Sequence, residues 1–150
     1  MNPDETTVSI RKMKLSDIED IGRIYALITK KALQADFKEM VEDHFEQRGS
    51  GSTCFVAEFE GKVAGFMISH VMPFSFGMEN SAWIATMGVD PKYMGQRIGA
   101  MLASKIFDFY KAQGITNIYT SLRWDATDVI SFFKTLGFER SDFINLAKSL

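Results

Sequence analysis

Val89-Asp90-Pro91-Lys92-Tyr93-Met94-Gly95-Gln96-Arg97-Ile98-Gly99-Ala100-Met101-Leu102 decides the fold, because it reads as a strand end, a turn and a helix start in immediate succession. Asp90-Pro91 closes the apolar and small-residue run Ser81 to Val89, since proline fixes its own φ and disfavours the helical region for the residue before it. From Ile98 onward, Ile98, Met101, Leu102, Lys105, Ile106, Phe109 and Tyr110 recur at helical spacing, and Gly114 is a natural stop. Gly95 and Gly99 bracket the first helical turn, whose leading amides have no partner within the helix. Free N–H groups and the positive end of the helix dipole make such a terminus attractive to anions. The alternative reading is a strand-to-helix turn whose glycines serve packing alone.

Outward from this segment the elements follow in order. Val8 to Lys12 alternates like a first strand, and Ser16-Asp17-Ile18-Glu19 forms a capping box before a helix with Ile18, Ile21, Ile24, Tyr25 and Ile28 on one face. Phe37 to Arg48 carries a shorter helical pattern through Phe37, Met40, Val41, His44 and Phe45, closed by Gly49-Ser50-Gly51-Ser52. Cys54 to Phe59 and Val63 to Ile68 are strand-like runs joined by Glu60-Gly61-Lys62, a hairpin. Beyond the central helix lie a β-rich stretch, Ile118 to Arg123, a helical pattern from Thr127 to Leu136, and Phe143 to Lys148 as a closing strand. Gly137 suits the left-handed conformation at a helix end, with Phe138 packing back on that helix.

The Met94 to Leu102 segment resembles the acyl-coenzyme A loop of the GNAT superfamily of N-acetyltransferases, in which an Arg/Gln-x-x-Gly-x-Gly/Ala pattern wraps a pyrophosphate. Gly95, Ile98, Gly99 and Leu102 stand where the family usually has them, whereas Met94 takes the first polar position and Arg97 that of the middle glycine. The pattern acts mainly through the amides of about four or five successive residues, here Gln96 to Ala100, and Arg97 adds a charge-assisted contact. The hairpin with its Val63-Ala64-Gly65-Phe66 step, the Leu136-Gly137-Phe138 ending and the order of elements match the same family, so the resemblance covers nearly the whole chain. The family commonly has an asparagine before the last helix and a tyrosine four residues before its closing glycine. Asp125-Ala126 and Phe133 occupy those places.

The resemblance implies a single 1–150 domain of α/β class (α+β by some schemes). Its sheet is mixed, mostly antiparallel, with about six or seven strands, splayed between the fourth and fifth, and flanked by about four helices. It implies acetyl-coenzyme A as co-substrate and transfer of acetyl to a primary amine by direct attack in a ternary complex. The pantetheine arm enters the gap between Ser81–Val89 and Ile118–Arg123 and pairs with backbone groups of Met87, Gly88 and Val89. The implied cofactor-binding set is Met87, Gly88, Val89, Met94, Gly95, Gln96, Arg97, Ile98, Gly99, Ala100, Asp125, Phe132 and Phe133. Gly88 is either a bulge or close-approach point where the splaying begins, or a glycine making room for a neighbouring ring.

Acyl transfer to an amine needs positioning, a base and an acid. The fourth strand lacks the glutamate that many relatives carry, which leaves Glu79, just before it, as the acidic candidate for the base. Its other reading is a solvated loop carboxylate. The usual acid is the tyrosine replaced by Phe133, so water, Tyr119 or Ser121 takes the role; an alkyl thiolate, with a pKa near about 8.5, also leaves tolerably unaided. A weak base favours amines of lowered pKa, such as an N-terminus, an amino acid or an aromatic amine. Lys30 to Asp36 and Ser75 to Asn80 are expected to wall the acceptor site, with Phe74, Phe76, Trp83 and Phe132 lining a pocket or belonging to the core. The alternative function is a degenerate acyl-coenzyme A binding or regulatory module, motivated by Met94, Arg97 and Phe133.

Bulk properties narrow the field. A chain of 150 residues fits one domain with a real core. A net charge of −2 and a pI near 5.7 argue against nucleic acid as partner. Neither an apolar stretch of about 20 residues nor a charged-then-apolar leader occurs, so the expectation is a cytoplasmic protein without membrane attachment, monomer or homodimer. One cysteine, Cys54, forms no internal disulfide and reads as a small core residue. His44, His70 and Cys54 lack ligand spacing, which argues against a metal, and His44 follows the apolar rhythm of its helix. No P-loop, dinucleotide fingerprint or nucleophile elbow is present. The expected acceptor is a small-molecule amine or a peptide N-terminus.

Overall fold

A computed structural model describes residues 7–30, 38–39, 41–43, 52–72 and 79–150. It falls into two units, Met1–Tyr119 and Thr120–Leu150. The first holds a sheet of order β1-β2-β3-β4-β5, with β1 Ser9–Lys12, β2 Cys54–Phe59, β3 Lys62–Met72, β4 Ser81–Val89 and β5 Ile118–Thr120. The first three pairings are antiparallel. β5 advances alongside β4 instead: the Ala82 amide donates to the Asn117 carbonyl at 3.1 Å and Trp83 stacks on Tyr119.

Helix α1, Ile18–Thr29, buries Ile18, Ile21 and Ile24 against a core containing Val56, Phe66, Ile68 and Val41. The expected Ser16 capping box does not form. Asp17 does the work, its carboxylate accepting from the Lys14 amide at 2.7 Å after a 3-10 turn, Leu15–Asp17. Asp17 also takes two bonds from Arg11, each of 2.8 Å. Burial pushes the Asp17 carboxyl up, but the Arg11 guanidinium and the Lys14 amide outweigh it and hold the group below the ordinary range. Residues 38–39 and 41–43 are helical where the second helix is expected, and the rest of that segment, with His44, lies outside the described residues.

Helix α2, Ile98–Ala112, packs on β2 and β3 through Ile98, Leu102, Ile106 and Tyr110. It ends as Gly114 predicts: Gly114 has φ +78°, Ile115 donates to the Tyr110 carbonyl and Gly114 to that of Lys111. At this end the Tyr110 hydroxyl meets Ser69 Oγ at 2.7 Å, and Ser69 Oγ donates to the Thr53 carbonyl. Burial raises the Tyr110 pKa, and pushes the Cys54 thiol up to about 12, which fits Cys54 as an inert core residue.

The second unit contains α3, Thr127–Thr135. Phe138 donates to the Phe133 carbonyl and Gly137, at φ +91°, to that of Lys134, while the Phe133 and Phe138 rings meet edge-on at 5.0 Å. This is the helix ending read from Leu136-Gly137-Phe138. The expected closing strand is not there: residues 143–148 form no strand and are exposed, and a largely apolar run makes no strand without a ladder partner. With β5 also shorter than Ile118–Arg123, the described sheet has five strands, fewer than the six or seven expected. No helix among the described residues is long and apolar enough to cross a membrane.

Candidate functional site

The strand β4 and the turn that follows it bring most of the expected cofactor residues into one continuous stretch. Ile68 pairs with Thr86 and Ser69 with Ile84, so Ala85 is an extra residue in β4, a bulge. Bulges leave a residue out of the ladder and bend the strand. Of the two readings of Gly88, a bulge or close-approach point and room for a neighbouring ring, the bulge is not found, since Gly88 is regularly paired with Phe66. A Cβ on Gly88 would stand 2.8 Å from both Ile28 Cδ1 and Phe66 Cε1, so this glycine makes room for its neighbours. Because β5 ends at Thr120, Met87, Gly88 and Val89 lie beyond the reach of that three-residue partner, and Ala85 is exposed. The last part of β4 therefore runs on past its three-residue neighbour.

Asp90 turns the chain. Its amide donates to the Ala64 carbonyl at 2.8 Å, and its carboxylate accepts from the Lys92 amide at 3.0 Å and from Arg23 Nη1 at 2.9 Å. Burial opposes the charged form, yet Arg23 and the Lys92 amide prevail and hold this carboxyl below its usual range. A 3-10 turn, Pro91–Tyr93, follows, and Tyr93 is buried with its ring 5.2 Å from that of Phe59. Met94, Gly95, Gln96 and Arg97 are exposed; Gly95 has φ +88° and nothing stands within 4 Å of where its Cβ would be.

Arg97 is the residue before the helix and sits at φ 60°, ψ 24°. A side chain pays about 1–2 kcal/mol for this left-handed conformation, which explains why glycine is common at that place in similar loops. Met101 makes the first helical bond, to the Arg97 carbonyl at 3.0 Å. Among the described residues, the amides of Gly95 to Ala100 donate to no acceptor. The helix start is seated by a close approach: a Cβ on Gly65 would lie 2.9 Å from Ile98 Cγ2 and 3.1 Å from the Gly88 carbonyl. A row of unpaired amides at a closely seated helix start, exposed at Gly95 to Arg97, suits a diphosphate.

The proposed catalytic side chains are more scattered. Glu79 is exposed and precedes β4. Tyr119, half-buried in β5, stacks on Trp83 with ring centres 5.0 Å apart and planes at 27°. His70, opposite Trp83 in the β3 and β4 ladder, is half-buried, and burial lowers its pKa, leaving a neutral imidazole at neutral pH. Phe74 and Phe76, and the walls at 31–36 and 75–78, lie outside the described residues. In the second unit, Asp125 is exposed and bound at both oxygens by Arg123, each at 2.9 Å. Phe132 is half-buried and Phe133 buried, their rings 5.2 Å apart. Ser121 Oγ accepts from Asn145. Among the described residues, no group of three or more His, Cys, Asp or Glu could hold a metal ion.

A model of the acetyltransferase (GNAT) family matches residues 19–138. An L-2,4-diaminobutyric acid acetyltransferase of Nocardia farcinica (strain IFM 10152) is 25% identical over 134 residues, 89% of this chain and 66% of that protein. An uncharacterised protein of Mycobacterium leprae (strain TN) is 32% identical over 73 residues, 49% of this chain and 18% of that protein. The matched segments thus span less than two thirds of either relative's own length. An aminoglycoside N-acetyltransferase solved in complex with coenzyme A has a TM-score of 0.80 at 14% identity, covering 99% of both chains, a likeness of fold.

Proposed function

This chain belongs to the acetyltransferase (GNAT) family, and from that premise we propose that it transfers acetyl from acetyl-coenzyme A to a primary amine by direct attack in a ternary complex. The observation that carries this reading is the run of unpaired amides from Gly95 to Ala100, after the end of β4 that extends past β5. The amides hold the diphosphate, and the backbone of Met87, Gly88 and Val89 orients the arm that bears the thioester. When bound, the co-substrate supplies an acyl group on a thiolate leaving group. Glu79, directly or through water, takes the proton that the attacking amine loses, and Tyr119, Ser121 or water returns one to the departing sulfur. The acceptor is a small-molecule amine or a peptide N-terminus.

Phe133 favours a second reading, an acyl-coenzyme A binding module without turnover, because a buried phenyl ring donates no proton. Calorimetry with acetyl-coenzyme A and a thiol-release assay over an amine panel separate the two. An enzyme binds and frees thiol; a pure binder gains about 2.7 kcal/mol of stability at a hundredfold excess over Kd yet frees none. Absence of binding heat and of stabilisation overturns both.

A further inference from the structure

Arg23 of α1 does not touch the amide row, yet it reaches the turn that carries it. Its Nη1 bonds Asp90 at 2.9 Å and its Nη2 approaches the Val63 carbonyl at 3.4 Å, linking α1 and the start of β3 to the end of β4 across 67 residues of sequence. Asp90 is saturated: two carboxylate oxygens, its amide and its carbonyl all have partners, the last accepting from Tyr93 at 2.8 Å. Between Tyr93, buried against Phe59, and Ile98 the chain is exposed; Gly95 and Arg97 have positive φ, and Arg97 makes no side-chain cap hydrogen bond. The amides of Gln96 to Ala100 therefore take their position from Ile98 seated on Gly65 at one end and, at the other, from the Asp90 knot and Tyr93, whose amide donates to the Asp90 carbonyl and whose ring packs on Phe59. A solvent-open pocket of about 350 Å³, lined by Asp20, Arg23, Lys62, Asp90, Lys92 and Tyr93, leaves the ion pair hydrated on one side. A half-hydrated pair of this kind contributes modestly to global stability, while its two short bonds fix local geometry well.

We infer that Arg23 and Asp90 form a positioning pair that sets the affinity of the diphosphate loop for coenzyme A, acting through the Asp90 turn without contacting the ligand. This inference rests on the coenzyme-binding reading above. The test is calorimetry of the full chain with coenzyme A, run on wild type and on Asp90→Asn, Arg23→Gln, the double variant, Arg23→Lys and Asp20→Asn, with melting curves for each. Asp90→Asn and Arg23→Gln are each expected to raise Kd about tenfold, and the double variant no further than either single. Arg23→Lys, which keeps the charge, recovers to within about threefold of wild type. Asp20→Asn, which removes only the 3.8 Å contact to Arg23, binds as wild type. A merely structural pair lowers Tm and leaves the Kd of the folded protein unchanged, and that result overturns the inference. If Asp90→Asn fails to fold, Arg23→Gln probes the same contact from the more exposed partner. Wild type without binding heat is the distinguishable failure of the coenzyme reading itself and takes the inference with it.

Discussion

Gly65→Ala tests how the helix start is seated. The new Cβ would sit 2.9 Å from Ile98 Cγ2, 3.1 Å from the Gly88 carbonyl oxygen and 3.5 Å from Leu102 Cδ1, where carbon atoms prefer about 3.5–4.0 Å. Ile98 is 2% exposed and Leu102 0%, so neither side chain has room to turn aside, and Gly88 belongs to a paired strand. Overpacking of this kind costs about 1–3 kcal/mol; the central value of about 2 kcal/mol lowers Tm by roughly 4–8 °C in a chain of this size. The same shift moves the first amides of α2, so coenzyme A binding weakens about threefold to tenfold. Ile98→Ala alone costs about 2–5 kcal/mol as a cavity. In the Gly65→Ala background it also removes the clashing methyl, so the double variant is more stable than the sum predicts by about 1–2 kcal/mol. Denaturant unfolding gives the cycle and calorimetry the affinity. A Gly65→Ala protein that melts with wild type, or a cycle that closes at zero, refutes the close-approach argument.

Arg97→Gly relieves a left-handed side chain at some cost in unfolded-state entropy, so stability is expected to rise by about 0.5 kcal/mol while coenzyme A binds roughly threefold more weakly; tighter binding contradicts a contact from Arg97. Asp17 and Asp90 have folded pKa values below their unfolded ones, so in acid the unfolded state binds more protons; their stabilisation is complete above about pH 4 and is lost as pH falls through the folded values. Asp17→Asn should therefore flatten the fall of the urea midpoint below about pH 4, and an unchanged slope counts against the Arg11 pairing. Glu79→Gln should lower kcat/KM about tenfold to hundredfold with coenzyme A affinity intact, whereas full activity removes Glu79 from the mechanism. Amines with pKa near about 8 should react faster than unperturbed lysine side chains, neutral to only about four parts in ten thousand at pH 7; the reverse order contradicts a weak base.

Local signals carried much of this structure. Ser81–Val89 was legible to the residue because Asp90-Pro91 punctuates it, and Ile98 to Gly114 because apolar spacing and a closing glycine agree. What depends on distant partners was not. The pairing of Arg23 with Asp90 spans 67 positions, and nothing in either neighbourhood marks it. Gly65 stood in view within Val63 to Phe66, but only the packed helix shows that Ile98 fills the space its missing side chain leaves. Gly88 makes room for the Phe66 ring, one of its two readings, while the bulge falls at Ala85 because register, not residue type, places it. Phe143 to Lys148 reads as a closing strand and still forms none, since a run of residues supplies no neighbour.

The most direct measurement is a titration of the ¹⁵N-labelled chain with coenzyme A, following each backbone amide. The largest shifts are expected at Gln96 to Ala100, with smaller ones at Met87 to Val89. A spectrum that stays still, or one whose largest changes fall on Arg23, Lys62 and Lys92, contradicts the claim that these amides hold the diphosphate.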